Sequence, residues 1–146
     1  MTKITTTILC GVLFVSAVLY AEPPSRDQTC LANAIFREAG GEPLLGQYAV
    51  GEVIMNRLNT LPKATVCSIV NDHVGNHWQF GFHKFSQHQV NFKTQSKFFS
   101  LAATILKRSD PIRLPRNILY FNNFRFRSRK YHFYCKIGRM QFFSKT

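Results

Sequence analysis

The chain has 146 residues, with 19 Lys and Arg against 7 Asp and Glu for a formal charge of +12, and it is 45% hydrophobic and 14% aromatic. That length fits one core, and an apolar share that includes 14 Phe and 5 Tyr excludes a disordered basic tail, which lacks the surface to offset its chain entropy. The positive excess selects anionic partners, whether nucleic acid, anionic lipid or an acidic cell envelope, without choosing among them.

Met1-Thr2-Lys3 is a short positive start, Ile4 to Tyr20 is mostly apolar and uncharged, and Ala21 precedes the polar Glu22-Pro23-Pro24. The pattern predicts a secretory signal peptide over residues 1–21, cleaved after Ala21. The run from Ile8 to Ala21 is shorter than the about 20 apolar residues that a spanning helix needs. An uncleaved anchor is the competing reading, because Leu19 suits the small-residue cleavage pattern poorly; the apolar stretch before Cys10 is too short for a lipidated cysteine. Export predicts a secreted, periplasmic or envelope location and makes nucleic acid an unexpected partner. It also leaves Cys30, Cys67 and Cys135 in an oxidising compartment, enough for one disulfide and one thiol. Three pairings are open, with Cys30 and Cys67 carried as the candidate pair. No two cysteines have zinc-knuckle spacing.

Residues 22–29 read as a linker and 30–146 as the domain. Thr29 is the expected N-cap of a first helix from Cys30 to Ala39, stopped by Gly40-Gly41. A second helix is predicted over Gly46 to Leu58, followed by a short Val66 to Val70 segment and a loop from Asn71 to Asn91. Thr94 is the expected cap of a third helix carrying Phe98, Leu101, Ala102, Ile105 and Leu106, which ends at Asp110-Pro111. Ile118 to Phe121, Tyr131 to Cys135 and Met140 to Phe143 have strand composition, with Asn122-Asn123 and Gly138 as turns. Helices first and strands last predict an α+β single domain with a small antiparallel sheet toward the C-terminus. Between Lys107 and Lys145 there are 11 basic residues and one acid, Asp110, so the positive surface belongs to the strand end.

With so few acids, each is weighed singly. At about 100° per residue, Glu38 falls roughly 20° from Leu31, inside the stripe that Leu31, Ala34 and Ile35 define. A carboxyl group turned toward the core or a cleft resists ionisation, and its place at the negative end of the helix dipole acts the same way. That is what a general acid requires. The bland alternative is a Glu bonded to a buried backbone group or an arginine. On the second helix, Gln47 and Arg57 join the stripe of Val50, Val53, Ile54 and Leu58, within reach of Glu38 if the helices form a hairpin. Arg57 close to Glu38 would favour the carboxylate and oppose the acid role, and Arg57 has its own alternative as a fork capping loop carbonyls. Glu52, roughly 200° from Val50, is expected on the solvent side. Glu42, beyond the glycine pair, either faces the cleft or caps the second helix.

The block Leu31-Ala32-Asn33-Ala34-Ile35-Phe36-Arg37-Glu38-Ala39-Gly40-Gly41-Glu42-Pro43, followed by Gly46-Gln47-Tyr48-Ala49-Val50-Gly51-Glu52-Val53-Ile54-Met55-Asn56-Arg57, resembles the SleB-type cell wall hydrolase family, which includes spore cortex-lytic enzymes. Thr65 to Val70, Gln79-Phe80, Leu119-Tyr120-Phe121 and Ile137-Gly138 are similar to its later landmarks. The resemblance implies a lysozyme-like domain that cuts peptidoglycan between N-acetylmuramic acid and N-acetylglucosamine, often as a lytic transglycosylase, with Glu38 as general acid and base. Such an enzyme needs no second carboxylate, whereas ordinary glycosidases use two, and Glu42, Asp72 and Asp110 are the candidates to partner Glu38. Glu42, Gln47, Arg57, Gln79, Phe80 and Tyr120 are the expected substrate-binding or supporting residues. No cofactor or metal is expected, peptidoglycan is the expected partner, and a monomer the expected state. The sequence departs from the family at Gly40, where Arg is common, at Arg139-Met140 in place of Asn-His, and around Trp78-Gln79-Phe80-Gly81-Phe82-His83.

Two patterns invite other readings. His73, His77, His83 and His88 crowd one region, but Gly75 and Asn76 speak against the helical turn that would pair the first two as zinc ligands. Trp78, Phe80 and Phe82 either line a sugar cleft or belong to the core. Phe124-Arg125-Phe126-Arg127-Ser128-Arg129-Lys130-Tyr131 interleaves aromatic and basic residues as single-strand nucleic-acid binders do, though a half-buried strand explains the alternation, its arginines facing anionic wall polymers or lipids. A catalytically weak wall-binding module and a secreted basic protein that binds nucleic acid or anionic membrane are the alternatives to the enzyme.

Overall fold

A computed structural model of the chain describes residues 22–74, 77–78, 80, 96–123 and 128–146. The segment read as a signal peptide, the proposed Thr94 cap and the Phe124–Arg127 run lie outside these residues.

Helix α1 spans Arg26–Ala39, with Ser25 as its N-cap accepting from the Gln28 N–H at 3.1 Å. Thr29, the expected cap, is instead inside the helix and donates its hydroxyl to the Ser25 carbonyl. Both residues are able to cap; the extra turn lets the Gln28 amide donate to the Phe99 carbonyl at 2.9 Å, a tertiary bond no local pattern contains. Helix α2 spans Leu44–Thr60 and α3 spans Val66–Val70, the latter opened by a reciprocal Thr65–Ser68 capping box. Helix α4 spans Ser96–Leu106. No helix among the described residues is long and apolar enough to cross a membrane.

A two-residue antiparallel pair, β1 (His73–Val74) and β2 (His77–Trp78), occupies the start of the segment read as a loop. The main sheet is antiparallel in the order β3-β5-β4, from β3 (Ile118–Asn122), β4 (Tyr131–Ile137) and β5 (Met140–Lys145). The helices precede it and α2 packs against β3, which makes an α+β single domain. Leu31, Ile35, Val50, Val53, Ile54, Ile105, Ile118 and Phe142 are among the fully buried side chains of the core between them. Cys30 and Cys67 form a disulfide with Cα atoms 5.2 Å apart, fastening α3 to α1, and Cys135 carries a half-buried thiol whose pKa burial pushes up.

The expectation of a solvated Glu52 is overturned. α2 packs against α1, α3, α4 and β3, so its far side meets protein rather than water, and Glu52 is 0% exposed. Arg108 approaches Glu52 Oε1 at 2.7 Å and Arg113 at 3.5 Å, while Arg113 also pairs with Asp110. This cluster ties the middle of α2 to the end of α4.

Candidate active site

Glu38 sits in the last turn of α1 and is half-buried beside the Leu31–Ala34–Ile35 stripe. Gly40 closes the helix by donating its N–H to the Phe36 carbonyl at 2.9 Å, and a Cβ at that position would overlap the same oxygen. The turn that carries Glu38 is thus wound for glycine at position 40.

Arg57, three turns along α2 from Leu44, is the centre of the neighbouring polar group. Its Nε donates to the Leu119 carbonyl at 2.7 Å, and its guanidinium lies 5.0 Å from the Phe80 ring centroid and 5.6 Å from that of Tyr120. Burial pushes the Arg57 pKa down, while Tyr120, Asp72, Glu38 and Tyr131, in that order, support the cation. The guanidinium stays charged, since the free value is far above neutrality. A cleft of about 160 Å³ opens here, lined by Arg57, Thr60, Leu61, Ile69, Asp72, Leu119 and Tyr120. The Tyr120 and Tyr131 rings meet edge to face at 4.9 Å.

The separation of Arg57 from Glu38 was the open question in the sequence, and the two are within electrostatic reach. That positive charge favours the Glu38 carboxylate, against the effect assigned to burial. Tyr120 and Asp72 couple to Arg57 more strongly than Glu38 does. Once a proton has left Glu38, the same charge stabilises the anion that remains.

Glu42 and Gln47 lie in a different arrangement. The Arg139 N–H donates to Glu42 Oε2 at 2.8 Å and its Nε to Oε1 at 2.7 Å, and Gln47 donates its amide to the Glu42 carbonyl at 2.8 Å. The backbone N–H bond to Arg139 is the largest reason the Glu42 carboxyl is held below its ordinary range, with the guanidinium adding to it. Of the three carboxylates weighed as partners for Glu38, Glu42 is engaged by this clasp and Asp110 by Arg113 beside Glu52. Asp72 alone of the three lines the Arg57 cleft.

The structure therefore gathers Glu38, Arg57, Phe80 and Tyr120, and places Glu42 with Gln47 at the sheet turn. Phe80 is 1% exposed, beneath Arg57 rather than on a sugar-facing wall. Gln79 and the side chains of His73, His77, Trp78, Phe82, His83 and His88 lie outside the described residues. Sequence reasoning left Asp72 unranked, noted Arg139 only as a departure from the family, and passed over Tyr131 as a site residue. No local periodicity marks any of the three.

Four helices followed by a three-stranded antiparallel sheet among the described residues, with a cleft of mixed polarity where α2 meets β3, define the class as a small α+β domain with Glu38 at a helix end. The Cell Wall Hydrolase family model matches residues 41–143, more than half of the chain, and the chain belongs to that SleB-type family. The match begins three residues beyond Glu38. No curated protein and no solved structure matches. Membership makes the protein a cell wall hydrolase with peptidoglycan as its substrate.

Proposed function

We propose that the protein cleaves peptidoglycan glycan strands between N-acetylmuramic acid and N-acetylglucosamine as a lytic transglycosylase, with Glu38 as general acid and then base. The observation that carries this reading is the place of Glu38, half-buried in the last turn of α1 and within electrostatic reach of Arg57, whose cleft also holds Tyr120. Glu38 protonates the glycosidic oxygen as its bond to the muramyl anomeric carbon breaks. The carboxylate then takes the proton of the muramyl 6-hydroxyl as that oxygen closes on the anomeric carbon. The proton count balances, and one carboxyl group serves both steps.

Arg57 holds its place through the Leu119 carbonyl and two aromatic rings, and offers a fixed positive charge when Glu38 is ionised. Export through residues 1–21 puts the domain on the wall side, and its basic C-terminal part meets anionic material there. Muropeptide analysis of digested sacculi tests the reading. Anhydro-muropeptides from the wild type and none from Glu38→Gln support it. Reducing-end products point to hydrolysis by water instead, and binding without products to a wall-binding module. A mature N-terminus at Glu22 in the exported protein tests the cleavage site.

A further inference from the structure

Strand β4 is an outer strand of the sheet, since β5 lies between it and β3. An edge strand over a helical layer is expected to alternate, one side chain inward and the next outward. β4 does not. His132, Phe133 and Tyr134 are exposed in succession, with Phe133 58% and Tyr134 49% accessible. The cause is a bulge: Phe133 pairs with Phe143 and Cys135 with the next β5 residue, Phe142, leaving Tyr134 as the extra residue. Bulges re-aim side chains, and this one brings two neighbouring aromatics to the surface at an edge with no further strand among the described residues. Phe133 does not hang free, for its ring meets buried Phe143 edge to face at 5.9 Å.

The surroundings are uniformly positive. Arg129, Lys130, Lys136 and Lys145 are exposed along β4 and its β5 neighbour, and none of them makes an ion pair among the described residues. The sequence holds no acid after Asp110. Lysines on an edge strand guard against strand-to-strand pairing, which accounts for the charges but not for two outward aromatics.

We propose that this edge of β4 is a docking surface for an anionic lipid bilayer, with Phe133 and Tyr134 entering the headgroup–acyl boundary and the four cations facing lipid phosphates. Phe133 has no polar atom to spend on a hydroxyl-rich ligand, whereas a ring of hydrocarbon next to a phenol is the chemistry of a membrane interface. A glycan platform needs paired donors and acceptors beside its aromatic ring, and here the four cations outnumber the neutral polar side chains His132 and Gln141. Cations next to an apolar anchor combine the two attractions that hold a peripheral protein on a charged bilayer. The surface is independent of the proposed glycosidic chemistry: its residues are neither Glu38 nor among those lining the Arg57 cleft.

The test is co-sedimentation of the exported protein, from Glu22 onward, with vesicles of phosphatidylcholine alone and of phosphatidylcholine mixed with phosphatidylglycerol, at rising salt. The wild type is expected to partition onto the anionic vesicles and to retain part of that binding when salt has screened the charges. The double variant Phe133→Ser, Tyr134→Ser keeps every charge and is expected to lose the salt-resistant part, with partition falling about tenfold or more. Phe133→Leu, Tyr134→Leu is expected to restore it, which separates lost insertion from lost folding. Turnover of soluble glycan fragments stays unchanged in both variants if the domain cleaves glycan. Equal binding to both vesicle types, wild-type binding by the serine variant at high salt, or displacement from vesicles by soluble glycan fragments overturns the proposal.

Discussion

The Glu42 carboxylate receives two bonds from one residue, the Arg139 N–H on Oε2 at 2.8 Å and the Arg139 Nε on Oε1 at 2.7 Å. It thereby fastens the β4–β5 turn to the start of α2, across 97 residues of sequence. Gly138 makes this approach possible. Its φ of +61° is the backbone a tight hairpin turn needs at that position, and a Cβ there would overlap Glu42 Oε2 and come within 2.8 Å of Pro43 Cδ.

Gly138→Ala is accordingly expected to destabilise the domain by about 1–3 kcal/mol, from the positive φ and the lost close approach together. Urea unfolding measures it. A variant with the wild-type midpoint and slope would show that the turn does not depend on the clasp.

Two buried carboxylates should respond to acid in opposite senses. Arg139 holds Glu42 below its ordinary range, so its contribution is present above the unfolded-state value and is lost as pH falls through the folded one. Burial raises Glu52 despite the attraction of Arg108, so its contribution is fully present below the unfolded-state value and is lost as pH rises through the folded one. Unfolding free energies followed from about pH 3 to pH 7 check this. Relative to wild type, Glu42→Gln becomes more damaging as pH rises, and Glu52→Gln becomes less damaging. Parallel curves for the two variants exclude the assignment.

Arg108 has φ of +56° just beyond α4, a position that favours glycine, while the Ser109 N–H reaches back to the Thr104 carbonyl and the Arg108 N–H to that of Ile105. It holds the strained backbone while its guanidinium neutralises Glu52. Arg108→Ala keeps the strain and removes the nearer of two cations from a buried carboxylate that Arg113 also approaches, for an expected loss of about 2 kcal/mol. Arg108→Gly relieves the backbone and should recover about 1 kcal/mol of that. Thermal unfolding of the pair measures the difference, and glycine proving the worse substitution would sink the account.

Reduction of Cys30–Cys67 opens a loop with a sequence separation of 37, worth about 4 kcal/mol on the chain-entropy model. Denaturation with and without reductant gives the value directly. A midpoint indifferent to reductant would mean that α3 is held to α1 by packing alone.

Arg57→Lys preserves charge but loses the planar fork and its seat between Phe80 and Tyr120. If Arg57 positions a charge for the reaction proposed at Glu38, kcat/KM on soluble glycan fragments falls by about tenfold or more. A shift of the pH profile should accompany the fall, which a merely structural role would not produce. Unchanged kinetics with intact folding would remove Arg57 from that role.

The strand end was legible as strands because aromatic and β-branched residues cluster there, and the order helix then strand already implied the α+β class. Helix α1 was misread only at its start, where Ser25 and Thr29 are locally equivalent caps and a bond from Gln28 to Phe99, across 71 residues, chooses between them. The bulge at Phe133–Cys135 left no trace in the sequence pattern, because it depends on register against β5 rather than on residue type.

The sequence by itself determined that Glu38 lies on the apolar stripe of its helix, since the angle between residues on one helix is set by local geometry alone. It also carried the family resemblance, through residues close together in the chain. Which charges stand near one another was decided only by the tertiary structure. Glu52 is buried because a helix packed on several sides has no solvent face, whatever its own periodicity. Arg57 shares a cleft with Asp72, and Glu42 meets Arg139, because separate elements converge, and no spacing along one helix encodes where another will cross it.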